Sequence, residues 1–524
     1  MAKFLKKYGF GISFLVCVVV YLALVYKNPF KTNNLISNLE PSPDVYYYSV
    51  PAWNWVHGNG FKMEAFGIEI KKIVPPLYGI VLAPFFKIWG DVRCYYYANV
   101  LLGILSIYLF LKLVEVFLEK RKLFLQFTLG LVLVTNFYFY NLPTLLMAEN
   151  ILIPLTLAAV ILMFKPLKIS TFIQTLTVMG LLAFTKISSF PVLAVLGTVF
   201  LVKIIKSKFW KNLSKKQLIV LSVLLISIFT AAAVKVALPN IKNLPAASGS
   251  FSIKFISKTL PIYLKEFVGI NGSYLWFANQ QIEQWLGIFC LVGMVVGLVW
   301  KKYRQKVLIL LALILAVTVF HSMMSYPEGR YISTVIPLFM LGAGVILDKL
   351  NKNIYLILFL GVYFLTRGTV NGFYERKATS LKRQILNNRL EENEIPWTWV
   401  AVQSFNEYFK DKTDVYLGTA TNPFYINYFG NGNYKFVPLS PRQEFSGLGK
   451  GFIDKYFEGN DSLVDIYQKL LDKGKEVYVT NYYLTYYHGG LDGDYFELEK
   501  NFRFEQVGDG CLGECKIYKL DLKK

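Results

Sequence analysis

Two carboxylates stand beside long apolar runs in a sequence that is otherwise poor in acidic residues. Asp44 follows Pro43 in the segment after the first apolar run, and Glu149 follows Met147-Ala148 at the start of another. An acidic group held next to a bilayer is costly, and it is a candidate for function. The pair can act as a general base and an acceptor-orienting group, or can hold a divalent metal ion. The alternative for each residue is an ordinary charge at the membrane interface.

Three cations have equally suggestive positions. Lys72 precedes Pro75-Pro76-Leu77-Tyr78, Lys186 lies in the turn Phe184-Thr185-Lys186, and Arg330 lies in Pro327-Glu328-Gly329-Arg330-Tyr331. We expect all three at the outer membrane boundary, where a lipid phosphate lies, and Arg binds phosphate through two parallel N–H bonds. For Arg330 the alternative is an ion pair with its neighbour Glu328.

The composition shows which elements must position these residues. Of the 524 residues, 54% are hydrophobic and 17% are charged, and the mean hydropathy is +0.41. Soluble domains carry about 25% charged residues, so lipid is the second solvent that the sequence requires. The net charge of +22 is concentrated in short Lys/Arg clusters between apolar runs. That distribution is typical of membrane topology signals and argues against a nucleic-acid-binding protein.

The apolar runs predict about eleven membrane-spanning helices. The predicted spans are Gly9–Tyr26, Tyr95–Phe117, Leu123–Asn141, Leu145–Phe164, Ile169–Thr185, Ile187–Ile205, Gln217–Leu238, Trp285–Trp300, Val307–Met323, Ile332–Leu347 and Ile354–Val370. The first run is followed by Lys27-Asn28-Pro29-Phe30 rather than by a small-residue cleavage site, so we interpret it as an uncleaved span.

The positive-inside rule sets the direction of the chain. If Val74–Trp89 crossed the membrane, the next run would place Lys120-Arg121-Lys122 outside; if it lies along the outer interface, those charges are cytoplasmic. The sequence therefore predicts a cytoplasmic N-terminus and an extracytoplasmic C-terminus. It also predicts two domains: a transmembrane domain over 1–370, with outer loops 27–74 and 239–283 and an interfacial segment 74–90, and an extracytoplasmic domain over 371–524.

The C-terminal part has the pattern of a small α/β domain. Strands are predicted at Asp414–Thr421, Glu476–Thr480, Phe502–Val507 and Lys516–Leu520, with helices at Arg376–Asn393 and Leu463–Lys473. Alternating strands and helices favour an α/β fold. The early strands lack a glycine-rich phosphate loop, so we expect no nucleotide there.

Cysteines and histidines give little further chemistry. Cys511 and Cys515 favour a local disulfide over a metal site, because oxidation is permitted outside the cytoplasm and a second Cys or His pair is missing. Cys17 and Cys290 fall in apolar runs and are expected to be small hydrophobic residues. His57 and His488 lack metal-ligand spacing.

The order of the motifs resembles that of the GT-C superfamily of polyprenyl-phosphate-dependent membrane glycosyltransferases. An Asp after the first span, a Pro-Pro-Leu-Tyr stretch, and a Glu opening the fourth span occur in that order. The Phe-Thr-Lys turn and a Gly-Arg-Tyr before a span containing Pro337 follow. The resemblance covers about Met1 to Val370 and is nearest to the protein O-mannosyltransferase-like and aminoarabinose-transferase-like branches.

The resemblance implies roles for the residues. Asp44 is expected to be the catalytic base or a metal ligand, although Val45 follows it where many members have Glu. Glu149 corresponds to the family's second active-site carboxylate, and a bound metal would involve Asp44 and Glu149. The residues implied for substrate binding are Lys71, Lys72, Tyr78, Lys186, Arg330 and Tyr331. Lys71 and Lys72 share one role, because Lys72 stands two residues further from the prolines than is usual.

The implied reaction moves a sugar from an outward-facing polyprenyl-phosphate donor to a lipid, glycan or protein acceptor. The acceptor hydroxyl attacks the anomeric carbon with inversion, and the lipid phosphate leaves, stabilised by Arg330 and a lysine. The sequence leaves open whether a divalent metal ion takes part. Two alternatives are a lipid or solute transporter, which would carry charges near the bilayer midplane and repeated halves, and a non-catalytic membrane assembly protein.

Overall fold

In the computed structural model, a bundle of apolar helices precedes a small α/β domain. The structure describes residues 2–31, 35, 39, 43–70, 75–118, 122–207, 251–269, 282–325, 327–350, 353–366, 397–441, 452–457, 461–482, 492–510 and 515–523. For residues 2–7, 43–44, 122, 137, 397 and 492 it describes the backbone without the side chain.

The predicted spans within the described residues all fall on helices. The helices of the N-terminal part are α1 Ala2–Val25, α2 Pro43–Val56, α3 Leu77–Trp89, α4 Tyr95–Phe117, α5 Lys122–Thr135, α6 Phe137–Asn141, α7 Glu149–Phe164, α8 Ile169–Ala183, α9 Phe190–Lys206, α10 Ile256–Phe267, α11 Gln284–Val299, α12 Lys301–Ser322, α13 Ile336–Leu350 and α14 Asn353–Thr366. The hairpin β1 (Glu64–Ala65) and β2 (Ile68–Glu69) follows α2. The predicted span Gln217–Leu238 lies outside the described residues.

Within the described part of the chain, four helices are long and apolar enough to cross a membrane. They are Tyr8–Val25, Val92–Phe117, Ile187–Lys206 and Lys301–Ser322, and a fifth results if the bent pair α5 and α6 forms one span. The remaining apolar helices are shorter. The fold is that of a polytopic helical membrane protein, and the count of about eleven spans stays a prediction.

Three predicted spans begin or end several residues beyond the α-helix in the structure. The helix of the run Ile332–Leu347 begins only at Ile336, and the other two differ for a clear physical reason. The run Leu123–Asn141 is bent by 56° between α5 and α6, where the Asn136 side chain accepts a hydrogen bond from Phe139 N and starts a new helix. The run Leu145–Phe164 becomes helical only at Glu149, because the Asn150 amide donates to the carbonyls of Leu145 and Met147 and holds them in a turn. Apolarity alone therefore overestimated both spans.

Close packing of α11 against α13 depends on glycine. A Cβ atom on Gly293 would lie 1.9 Å from the Gly342 carbonyl oxygen, and a Cβ on Gly342 would lie 2.1 Å from Cys290 O. Small residues allow two membrane helices to approach this closely. Cys290, like Cys17, is buried and unoxidised in this packing, as the sequence predicted.

The C-terminal domain is built on a five-stranded sheet. Its elements are α15 Trp397–Tyr408, β3 Val415–Gly418, α16 Pro423–Phe429, β4 Tyr434–Val437, α17 Leu463–Asp472, β5 Val477–Thr480, α18 Asp492–Asn501, β6 Phe502–Gly510 and β7 Cys515–Leu522. The strand order is β4-β3-β5-β7-β6. Strands β4, β3 and β5 are parallel, whereas β7 is antiparallel to β5 and to β6.

The sequence predicted this sheet in all but one strand. The α/β class and the helix at Leu463 are confirmed, and α17 carries a capping box in which Ser462 and Asp465 bond each other's backbone. The edge strand Tyr434–Val437, which pairs with β3, was not predicted. Cys515 is disulfide-bonded; Cys511 and the predicted helix Arg376–Asn393 lie outside the described residues.

Helix α2 connects the two parts of the molecule. On one side it packs on α3, where the rings of Tyr48 and Tyr78 meet at 5.4 Å. On the other side it meets the C-terminal domain, where Ser49 Oγ lies 2.6 Å from the Tyr428 hydroxyl and the Tyr46 ring is 5.4 Å from that of Phe424. One buried hydrophobic cluster includes residues of α2, α3 and the C-terminal domain. The segment that begins at Asp44 is therefore held by both parts.

Candidate active site

Glu149 and Lys186 form a buried ion pair at one end of the helix bundle. Glu149 is 2% exposed and stands in the first turn of α7, where the helix dipole favours a carboxylate. The Lys186 side chain, which is 15% exposed, places its Nζ 2.7 Å from Glu149 Oε1. Lys186 has an extended backbone before the 3-10 turn Ile187–Ser189. Two chain turns that are distant in sequence thus place opposite charges side by side.

A second cation, Arg330, lies in the 3-10 turn Gly329–Ile332 and is 6% exposed. Its guanidinium forms an ion pair with Glu328 and points at the sulfur of Met147, two residues before Glu149. The turn is held by Tyr263 of α10, whose hydroxyl accepts a hydrogen bond from Glu328 N at 3.2 Å. The ion pair with Glu328, considered as an alternative from sequence, is present.

The ring of Tyr331 brings the two cations together. The Lys186 Nζ lies 5.5 Å from the centre of this ring, and the Arg330 Cζ lies 5.1 Å from it. Cation–π attraction stabilises both positions. The imidazole of His321 stacks on the same tyrosine at 4.8 Å with an interplanar angle of 10°. Lys186 and the adjacent residues Arg330 and Tyr331, which are far from it in sequence, are therefore parts of one cluster with Glu149.

Several buried polar atoms around this cluster lack a hydrogen-bond partner in the described part of the chain. They are Glu149 Oε2 and both ring nitrogens of His321. Buried polar groups are nearly always hydrogen-bonded, so atoms of this kind need an explanation such as a water, an ion or a ligand. His321 was not among the site residues predicted from the sequence. The signal for His321 was its position at the end of an apolar run.

Tyr78 supports the cluster through the turn before α7. Its buried hydroxyl donates to Asn99 Oδ1 at 2.7 Å, and the Asn99 amide donates to the Leu145 carbonyl at 2.9 Å. The backbone N–H of Leu77 donates to Phe184 O at 3.0 Å, which fixes α3 to the turn that carries Lys186. The observed contacts of Tyr78 are structural, and its predicted role in substrate binding stays a prediction.

Three predicted site residues have no described side chain. The backbone of Asp44 starts α2, and Lys71 and Lys72 lie outside the described residues. The predicted convergence of Asp44 with Glu149 is therefore untested. Tyr48 of α2 contacts Tyr78, and Tyr78 reaches the turn before Glu149 through Asn99. This chain of contacts puts α2 beside the loop that positions Glu149.

A metal ion and the remaining histidines, His57 and His488, are the other candidates for chemistry at the site. A group of three or more His, Cys, Asp or Glu side chains that could hold a metal ion is not found among the described residues. Glu149 alone of the two proposed metal ligands has a described side chain, and it is paired with Lys186. His57 bonds the Trp53 carbonyl of its own helix, and His488 lies outside the described residues.

An apolar helix bundle joined to an α/β domain is the fold of a polytopic membrane protein, and the Glu149 cluster is a polar site at one end of that bundle. Residues 262–392 match the model of the Alg9-like mannosyltransferase family. This range contains Tyr263, His321, Glu328 and Arg330. None of the curated proteins matches the sequence.

Two solved structures share the fold over nearly the whole chain. ArnT from Cupriavidus metallidurans bound to undecaprenyl phosphate is 14% identical, with 98% of each chain covered and a TM-score of 0.61. ArnT from the same organism in the apo state is 13% identical, with the same coverage and a TM-score of 0.58. The family model matches residues 262–392 only and the two structures show the fold, and both agree with the resemblance of the motifs to the GT-C superfamily.

Proposed function

We propose that the protein transfers a sugar from an outward-facing polyprenyl-phosphate donor to a lipid, glycan or protein acceptor. The observation that carries the proposal is the pair of buried cations, Lys186 and Arg330, that meet on the ring of Tyr331. Two fixed cations at a helix-bundle end suit a lipid-anchored phosphate. The ArnT structure with the same fold holds undecaprenyl phosphate, which is a ligand of this chemistry.

In the described structure each cation is neutralised by a carboxylate. Glu149 is almost fully buried on a helix, whereas the side chain of Glu328 is 17% exposed and stands in a turn. A donor phosphate that approaches Arg330 would therefore replace the Glu328 carboxylate more easily than it would replace Glu149 on Lys186. The ion pairs hold the two cations in place until a phosphate arrives.

The proposed site faces the extracytoplasmic side. Helix α4 has 23 residues, and at about 1.5 Å per residue it spans about 35 Å, close to the hydrocarbon thickness of a bilayer. At its Tyr95 end, Arg93 lies over Trp399 of the C-terminal domain. At its Phe117 end, Lys306 bonds the carbonyls of Val116 and Phe117.

The basic clusters gather at that Phe117 end. Ring contacts place Phe117 against Tyr303, beside the segment Lys301–Lys306. Short loops rich in Lys and Arg are typically cytoplasmic. The Glu149 cluster and the C-terminal domain, which lie at the opposite end, are accordingly extracytoplasmic in the proposal.

The proposed reaction assigns one task to each group. The acceptor hydroxyl attacks the anomeric carbon while its proton passes to Asp44. A divalent metal ion, if one is bound, would be held by Asp44 and Glu149 and would supply Lewis-acid chemistry to the acceptor. The bond between the anomeric carbon and the phosphate oxygen breaks, and its electron pair stays on the phosphate. Lys186 and Arg330 stabilise the charge that develops there. Glu149 fixes Lys186.

The position of the buried charges argues against the transporter alternative. A transporter would place charged groups near the bilayer midplane. In the described part of the membrane domain, the fully buried charged side chains stand in helix-terminal turns or in a connecting turn. They are Glu149, Glu266, Arg330 and Asp348.

The central test is a transfer assay on purified protein in nanodiscs. A lipid extract that contains polyprenyl-linked sugars is added, and release of polyprenyl phosphate is measured by mass spectrometry. The parent should release it, and Asp44→Asn should lower the rate by roughly two to four orders of magnitude. A parent without transfer on any such donor, in a protein that folds, would contradict the proposed function.

Sidedness can be tested with single cysteines and a membrane-impermeant maleimide. Lys473 is exposed in the C-terminal domain, and Arg304 is exposed in the basic loop at the Phe117 end. Lys473→Cys should be labelled in intact cells, and Arg304→Cys only after the membrane is opened. The reverse pattern would place the site on the cytoplasmic side.

A further inference from the structure

His321 is a buried histidine whose polar atoms have no structural task in the described part of the chain. It lies in the last turn of α12 and is 2% exposed. Its ring stacks on Tyr331, and neither ring nitrogen has a hydrogen-bond partner. The stack alone would be filled equally well by phenylalanine, without the free-energy cost of burying unpaired polar atoms. The imidazole is thus positioned for a partner that enters the site.

The surroundings indicate the charge of that partner. Lys186 and Arg330 both lie against Tyr331, the ring on which His321 stacks. A metal ion would be repelled by the two cations, and the described carboxylates of the cluster, Glu149 and Glu328, are engaged by Lys186 and Arg330. An anion, in contrast, would be attracted, and a neutral imidazole offers it one N–H donor.

We propose that His321 donates an N–H hydrogen bond to the phosphate of the lipid-linked donor, as a third phosphate-binding group beside Lys186 and Arg330. This inference rests on the proposed function. The imidazole transfers no proton. When the bond between the anomeric carbon and the phosphate oxygen breaks, the electron pair remains on that oxygen, and the N–H stabilises the charge gained there.

The geometry of an inverting reaction separates this role from that of a base. The acceptor attacks the face of the sugar opposite to the leaving phosphate. A group beside the phosphate-binding cations is therefore on the leaving-group side, where a base for the acceptor would be out of reach. His321 consequently acts on the phosphate, and Asp44 acts on the acceptor.

The test compares His321→Phe with His321→Asn in full-length protein. Phenylalanine keeps the ring stack on Tyr331 and removes both nitrogens, whereas asparagine restores an N–H donor. We expect His321→Phe to keep the parent's thermal midpoint, to bind undecaprenyl phosphate about tenfold more weakly, and to lose roughly a hundredfold in kcat. His321→Asn should recover part of both losses. His57→Phe, a change in an exposed histidine, is the matched control and should change neither.

The outcomes distinguish the two proposals. A parent that neither binds undecaprenyl phosphate nor transfers sugar contradicts the proposed function itself. A parent that does both, with His321→Phe equal to it in affinity and kcat, overturns only the role of His321. A His321→Phe protein with a lowered midpoint and no recovery in His321→Asn would show a packing role and would also overturn the inference.

Discussion

Two buried ion pairs lie at opposite ends of the helix bundle, and they differ in their surroundings. At the end that we propose to be the outer one, Glu149 bonds Lys186, and near this pair stands His321, whose ring nitrogens have no hydrogen-bond partner among the described residues. At the opposite end, which is the inner one in this proposal, the Asp348 carboxylate accepts from Lys302 at 3.2 Å and from the Tyr303 hydroxyl. There a single carboxylate oxygen, Asp348 Oδ1, is unpaired among the described residues.

The aromatic groups show the same difference. At the inner end Trp300 and Tyr303 both lie beneath the Lys302 ammonium, and Trp300 also lies near Lys349. These aromatic rings cover the pair of Lys302 and Asp348 from several sides. At the outer end the ring of Tyr331 lies against both Lys186 and Arg330, and the imidazole of His321 stacks on the same ring. A buried charge with completed contacts fits a role in packing, and one among incomplete contacts fits a role in binding.

The largest expected effect is a difference in transfer rate between variants of the two buried ion pairs. Glu149→Gln keeps shape and a hydrogen bond to Lys186 but removes the charge that fixes Lys186, and we expect transfer to fall by roughly a hundredfold. Asp348→Asn should leave the rate per folded molecule unchanged. It should instead lower the free energy of unfolding by about 2 kcal/mol, because Lys302 loses its buried partner. Rates and thermal midpoints are measured on the same preparations.

The comparison would fail if Asp348→Asn reduced the rate as strongly as Glu149→Gln at equal folded fraction. A joint replacement, Lys302→Met with Asp348→Leu, further tests whether the inner pair has only a packing role. Apolar replacement of a whole buried pair is often neutral for stability, so the double variant should be more stable than Asp348→Asn and remain active.

The next effect concerns the outer arginine. Arg330→Lys keeps the charge but loses the planar fork that binds phosphate through two bonds, so kcat/KM should fall roughly tenfold to a hundredfold. Both KM and kcat should change, because the phosphate is present in the ground state and in the transition state. Arg304→Lys at the inner end, where the arginine bonds the Leu298 carbonyl, is the matched control. Equal kcat/KM in the two variants would remove Arg330 from donor binding.

The positions of the helices were predicted well from the sequence, and the hydrogen bonds that shape the turns between them were predicted poorly. The helix at Tyr95–Phe117 begins and ends where apolarity predicted, because a membrane span is defined by its own residues. The turn before Glu149 was missed, because it depends on amide bonds from Asn99 and Asn150 to main-chain carbonyls. Such bonds are tertiary and leave no periodic signal in the sequence.

The candidate site shows the same limit. The motif order selected Glu149, Lys186, Arg330 and Tyr331, and the structure brings these four together. His321 was missed because a histidine at the end of an apolar run has no partner within reach in the sequence. Its significance comes from the stack on Tyr331 and from nitrogens left unpaired, and both are properties of the folded chain.

A smaller effect is expected where the C-terminal domain holds α2. Tyr428→Phe removes the hydroxyl that meets Ser49 Oγ, and should cost about 1 kcal/mol of stability. If the domain positions the helix that begins at Asp44, kcat should also fall, by up to about fivefold. Tyr434→Phe is the matched control, because its hydroxyl bonds Asn406 within the domain at 3.0 Å. Equal kcat in both variants would show that the contact with α2 is structural only.

The smallest effect is expected at an exposed ion pair, which can be compared with the two buried pairs. Asp414 lies between Lys435 and Lys475 on the surface of the C-terminal domain. Hydrogen bonds from these two lysines lower the pKa of its carboxyl to about 2. A lowered pKa in the folded state means that the ion pairs stabilise the domain above the unfolded pKa of about 3.9. The stabilisation is lost as the pH falls from there through about 2.

Asp414→Asn isolates this contribution. The residue has a positive φ of 58°, which asparagine tolerates as well as aspartate does, so the backbone is not strained by the change. At pH 7 the variant should unfold at a slightly lower denaturant concentration than the parent, because solvent weakens exposed pairs. The difference between the two midpoints should shrink between pH 4 and pH 2 as the parent's carboxylate is protonated. If the difference between the two midpoints stays constant over that range, the lysines do not stabilise the charged form of Asp414. Exposed charges in this domain would then contribute nothing measurable to stability beside the two buried pairs.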